Sequence, residues 1–175
     1  DQGEAPQFPY TVRFLFGANE ESGMADVAYY HLHYDDPAFL FTPDAEFPVC
    51  YGEKGGYDGE LISKPIADRI VLEFTGGAAT NAVPGLAHAI VNADAHELKS
   101  TDRIVVTEAG PGRARLEATG KGAHASLPDD GINAIGLIVD YLLANGLCGA
   151  DERAFLELDQ KLLNHTDGSG VGIKS

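Results

Sequence analysis

Two stretches with alternating apolar positions, Asp102–Ala109 and Arg113–Gly120, flank a Gly110-Pro111-Gly112 connection. Alternation is the period of a half-buried strand, and glycine and proline supply the backbone angles of a tight turn. The pattern predicts an antiparallel hairpin, whose apolar face must be covered by something else. A cover follows in the chain. Residues Gly131–Gly146 place Ile132, Ile135, Ile138, Leu142 and Leu143 on one side of a helix, which Gly146 stops. Asp151–His165 is a second amphipathic helix. Upstream, Arg69–Gly77 reads as a strand and Val83–Ala93 as a helix, with Pro84 suited to its first turn. From residue 60 to 175 the expected fold is α+β, with helices on one face of an antiparallel sheet.

The first 59 residues read differently. Tyr10–Ala18 is rich in β-formers and predicts a buried strand, and Ser22–Tyr34 predicts a short helix. Ala38–Val49 resumes β character but is broken by Pro43 and Pro48, which puts Asp44 at a strand exit or in a loop. Strand, helix, strand is a βαβ-type unit of an α/β domain, whose ligands gather at the C-terminal ends of the strands. The glycine-rich stretch Gly52–Glu60 is a crossing between the two domains.

Charge narrows the partners. Against 12 Lys and Arg stand 27 Asp and Glu, a formal charge of −15 over 175 residues, so nucleic acid and membrane surfaces are not expected partners. Cys50 and Cys148 are isolated, with no CxxC spacing. No basic start leads into an apolar stretch, and the expected setting is cytoplasmic.

Glu20 and Glu21 stand side by side where the first apolar run ends, and Asp44 follows the next one. The separation leaves room for a helix and a return strand, so these carboxylates can converge at one sheet edge. One adjacent glutamate can then bind a metal while the other faces its water. The plain alternative is a pair of exposed acids favoured by a helix N-terminus. His31 and His33 sit two apart and read as surface or helix-end residues. His88 and His96 read as packing or surface residues. Gly76-Gly77 begins no phosphate-binding motif. Ser126 and His124 lie too close in sequence, without a recognisable acid partner, for a serine nucleophile pair.

Residues Phe16–Gly55 contain Asn-Glu-Glu-Ser-Gly (19–23), Pro-Asp-Ala-x-Phe-Pro (43–48) and Gly-Glu-Lys-Gly (52–55) in that order. Downstream come Thr80–Gly85 and Gly120–Ile135. Together they resemble the di-zinc dipeptidases, in particular the branch of Xaa-His and dipeptidase V-like enzymes, and the resemblance covers essentially the whole chain. It implies part of a catalytic α/β domain over residues 1–59 and much of a ferredoxin-like lid over 60–175. The implied activity is hydrolysis of dipeptides by a metal-activated water, with two zinc ions. By the same resemblance Glu20 is the general base, Glu21 and Asp44 each bind one zinc, His124 stabilises the charge on the scissile carbonyl oxygen, and Asn81 holds substrate.

The resemblance also requires a His-x-Asp upstream of the glutamates, a metal-bridging aspartate and a late histidine, and no His-x-Asp precedes Glu20; His33-Tyr34-Asp35 and His165-Thr166-Asp167 lie after it. Zinc takes about four ligands. The expectation is therefore an internal piece of a longer enzyme, inactive by itself. The competing reading is a non-catalytic α+β module that associates with itself or with another chain through its sheet edge or helices.

Overall fold

The computed structural model describes residues 8–44, 48, 50–52 and 59–172, apart from the side chain of Glu21. The chain divides into two units, Asp1–Asp58 and Gly59–Ser175. In the first, a 3-10 turn at Glu20–Ser22 leads into helix α1, Ala25–His33. Ahead of the helix, the guanidinium of Arg13 bonds the Tyr30 hydroxyl and lies over the Tyr30 and Tyr34 rings, 5.6 and 5.3 Å from their centroids. Cation–π contact therefore helps to pin residues before the turn onto α1.

The strands expected at Tyr10–Ala18 and Ala38–Val49 are not formed among the described residues of this unit. Composition makes a segment able to join a sheet, but a strand exists only where a neighbour completes its hydrogen-bond ladder. The described large apolar side chains of both segments stay in contact with solvent: Phe16 is 91% exposed and Phe39 80%. Among the described residues of this unit, the βαβ arrangement is accordingly replaced by one α-helix flanked by irregular chain.

The second unit contains β1 (Val71–Gly76), β2 (Ala82–Val83), β3 (Leu86–Val91), β4 (Ile104–Glu108), β5 (Ala114–Thr119) and β6 (Ala123–His124), then α2 (Ala134–Ala144) and α3 (Ala150–Leu163). Four strands pair antiparallel in the order β1-β3-β5-β4, and β2 pairs with β6 in a separate ladder. The expected hairpin is β4–β5, and Gly110 and Gly112 take the positive φ its turn needs, 114° and 67°. The helix expected over Val83–Ala93 is instead strand β3. Ala87, Ala89 and Val91 face the core while Leu86, His88 and Ile90 face the other way, a period of two. Pairing with β1 and β5 on both sides outweighed the helical preference of its alanines. Both helices consequently follow the sheet in sequence, without the alternation of strand and helix that a ferredoxin-like layer has.

Alanines at 87, 89, 114 and 118 make the inner face of the sheet low enough for Ile138, Val139 and Leu142 of α2 to pack closely, with Leu156 of α3 beside them. Asn133 caps α2 by accepting from the N–H groups of Ile135 and Gly136, and Gly146 ends it at φ 65°. Among the described residues no helix is long and apolar enough to cross a membrane.

Candidate functional site

The turn carrying the two glutamates is held from both ends. The Asn19 carbonyl accepts from Ser22 and Met24 N–H at 3.2 and 2.8 Å, and its side-chain oxygen accepts from Ala25 N–H at 2.8 Å. In return, Asp26 Oδ2 in the first turn of α1 accepts from Ala18 and Asn19 N–H at 2.6 and 3.1 Å. Gly17 makes room for that carboxylate, since a Cβ there would stand 2.5 Å from Asp26 Oδ2. Gly23 and Met24 then turn the chain with φ 105° and 55°. For a residue with a side chain the left-handed conformation costs about 1–2 kcal/mol. The bonds from Asn19 offset that cost at the residue beside Gly23.

Asn19 and Asp26 are turn-building residues that sequence reasoning missed. Their signal was present: Asn and Asp are the side chains that most readily bond nearby backbone N–H groups. The Ala18 N–H, with those of Val27 and Asn19, holds the Asp26 carboxyl below its ordinary value of 3.8 against a smaller opposing effect of desolvation. A lowered folded value means the carboxylate favours this turn above the ordinary aspartate range, and the contribution is lost as pH falls through the folded value. The Ala18 and Asn19 amide resonances are expected to titrate together with a midpoint below 3.8, measured by NMR. A midpoint at or above that value would remove Asp26 from this role.

Asp44 is exposed and outside any regular element. Residues 45–47 and 53–55, which complete the two flanking motifs of the resemblance, lie outside the described residues. His31 bonds Asp36 at 2.7 Å, and His33 bonds the Tyr29 carbonyl at 2.7 Å and stacks on the Tyr29 ring. Both histidines lie in the last turn of α1 and are exposed, as the sequence suggested. His88 pairs with Glu73 at 2.8 Å on the sheet face away from the helices. Among the described residues no three His, Cys, Asp or Glu side chains gather closely enough to hold a metal ion. Glu21 and Asp44 are hard oxygen donors of a kind zinc accepts, but two ligands do not make a four-coordinate site. They suit zinc only as part of a larger donor set.

In the second unit, Asn81 and His124 belong to one small structure. Ala82 pairs with His124 and Val83 with Ala123, and Ala125 N–H donates to the Asn81 carbonyl at 2.8 Å. The ladder is anchored at its base. Lys121 and Ile132 exchange two backbone bonds at 2.9 Å, Gly120 N–H donates to Gly85, and Ala134 N–H donates to Pro84. Gly120 permits this closeness, because a Cβ there would fall 2.0 Å from the Ile132 carbonyl oxygen. Beyond the ladder, the His124 carbonyl accepts from Leu127 N–H at 3.0 Å. The other side of β2 borders a groove of about 710 Å³ lined by Thr75, Gly77, Pro84, His88 and Thr119 among others.

His124 is exposed, and its Nδ1 lies 2.7 Å from Ser126 Oγ and 3.2 Å from Ser126 N–H. Glu20 and Glu21 belong to the first unit, and Asn81 and His124 to the second.

No family model matches the chain. Curated proteins do. "Putative dipeptidase YtjP" of Bacillus subtilis (strain 168) is 30% identical over 93% of this chain, and the match covers 38% of that protein. "Beta-Ala-Xaa dipeptidase" of Lactobacillus delbrueckii subsp. lactis is 29% identical over 93% of the chain and 37% of its own length. "Putative dipeptidase" of Staphylococcus epidermidis is 27% identical over the same share of the chain. The chain thus spans about 38% of the length of these relatives. Over nearly all of its own length, it is related to the dipeptidase family.

Proposed function

We propose that this chain forms part of a cytoplasmic zinc-dependent dipeptidase, its first unit contributing to the catalytic domain and its second to a lid over the substrate. The observation that carries the reading is the similarity to dipeptidases along 93% of the chain. The ladder that brings the segments of Asn81 and His124 together supports it. In this reading Phe14, Phe16, Phe39 and Phe41, exposed here, face further strands of the catalytic domain.

Glu21 and Asp44 would hold zinc together with ligands from outside this chain. When bound, zinc polarises the scissile carbonyl and makes a water acidic enough to react near neutral pH. Glu20 takes the proton of the attacking water and passes it on to the leaving amine. Asn81 orients the substrate. His124 donates a hydrogen bond to the carbonyl oxygen as it gains negative charge, a contribution realised mainly in the transition state.

The test is made on a full-length protein carrying this chain, with dipeptide substrates. Replacing His124 by alanine should lower kcat by roughly 10²–10³, the usual loss of one oxyanion donor, with a much smaller change in KM. Bound zinc and melting temperature should not move. A near-normal kcat in a less stable protein would make His124 a structural residue, and absence of dipeptide hydrolysis in the unaltered protein would refute the function.

A further inference from the structure

We propose that Ser126 is the positioning residue for His124: it fixes the ring's tautomer, so that Nε2 carries the proton and is the nitrogen offered to a ligand oxygen. The inference rests on the dipeptidase reading for its catalytic consequence, but its structural part stands on geometry alone. Two groups of Ser126 meet the same ring nitrogen, the hydroxyl at 2.7 Å and the backbone N–H at 3.2 Å. A hydroxyl can donate or accept, so its contact alone leaves the tautomer open. A backbone N–H can only donate. Nδ1 must therefore be the unprotonated nitrogen, and in the neutral ring the proton resides on Nε2. With Nδ1 acting as acceptor, the hydroxyl also donates to it.

The backbone around this contact is held on both sides. His124 is paired with Ala82, and its carbonyl accepts from Leu127 N–H as the chain turns toward Pro128–Asp130. Ser126 therefore stands two residues from His124 within a tied loop, and the exposed ring keeps Nε2 free of the Ser126 contact. A donor to a developing oxyanion needs that arrangement. With the proton on Nδ1, the same ring position would present a lone pair to the substrate oxygen and repel it. The serine is not a nucleophile in this scheme; it acts through the histidine.

Two measurements test this, one independent of activity. In the ¹⁵N-labelled chain above the ring's titration range, the His124 imidazole should show a bare, hydrogen-bonded Nδ1 and a protonated Nε2. Ser126→Ala removes the hydroxyl but keeps the backbone N–H, so Nε2 should stay protonated while the Nδ1 signal shifts toward that of a more weakly hydrogen-bonded nitrogen, and Ser126→Thr should preserve the original pattern. In a full-length protein with dipeptidase activity, Ser126→Ala should lower kcat roughly five- to tenfold, the size of one neutral hydrogen bond. KM should change little, and Ser126→Thr should restore the rate. A protonated Nδ1 in the unaltered chain, or no response of the ring to Ser126→Ala, would overturn the proposal. So would a loss above about a thousandfold, which would mark Ser126 as a nucleophile. The expected ring signals in a protein without dipeptidase activity would defeat the dipeptidase reading and leave the Ser126–His124 assignment supported.

Discussion

Replacing Glu152 by alanine is expected to destabilise the second unit by about 3–5 kcal/mol. Glu152 is only 5% exposed, a rare place for a carboxylate. Its oxygens are occupied by three backbone donors: Gly149 and Ile70 N–H on Oε2 at 2.8 and 2.9 Å, and Val71 N–H on Oε1 at 3.0 Å. One bond caps the start of α3, and the other two fasten the entry to edge strand β1. The helix N-terminus also favours a negative charge there. Alanine would leave all three donors without this partner and open a gap between the elements. The melting temperature should fall on the order of 10–20 °C for a unit of this size. Glu152→Gln, which retains one acceptor oxygen, should lose roughly half as much. Urea unfolding of both variants checks the ranking, and a loss under about 1 kcal/mol in the alanine variant would show that water replaces the carboxylate.

The hairpin and the two long helices were legible because each carried two agreeing signals. In β4–β5 these are alternation and turn glycines; in α2 they are an apolar stripe and a stopping glycine. Strand β3 was illegible because its outward positions include Leu86 and Ile90, so apolar residues occur on both faces and the period of two is masked. Its inward alanines, chosen for close approach to α2, are also good helix formers. In the first unit the difficulty was different. Tyr10–Ala18 and Ala38–Val49 have strand composition, but composition carries no information about whether a pairing neighbour exists within the same chain.

The candidate site divides along a similar line. Local chemistry reveals why Asn19 and Asp26 shape the turn around Glu20, since all their partners lie within eight residues. The meeting of the Asn81 and His124 segments depends on two strands of two residues each, far apart in the chain. Elements that short have no periodicity to read, so their association emerges only in three dimensions. Ser126 shows a further limit. Its separation from His124 argued against a nucleophile pair, yet that same short separation brings its hydroxyl and N–H together onto one ring nitrogen. Glu152 was hidden because two of its partners, Ile70 and Val71, lie at the entry to β1, about eighty residues away, as well as one at its own helix end.

In a full-length dipeptidase carrying this chain, Glu20→Gln is expected to lower kcat by about 10²–10⁴ while leaving bound metal unchanged. Glu20–Ser22 is a 3-10 turn, whose three residues per turn space successive backbone positions about 120° around its axis. Neighbouring glutamates on such a turn are suited to separate tasks, one toward a cation and one toward the water beside it. Glutamine keeps the length and a hydrogen-bonding oxygen of Glu20 but cannot take a proton, so it removes the base and little else. Glu21→Ala should instead reduce bound zinc, with activity falling in proportion to the metal lost and partly returning at higher zinc concentration. Metal content, kcat and zinc rescue measured on the two variants separate a base from a ligand. Near-normal turnover in Glu20→Gln, or metal loss in that variant with none in Glu21→Ala, would reverse or remove the assignment. A fall in stability common to both, with unchanged kcat in the folded fraction, would return the pair to the role of exposed acids at the entry to α1.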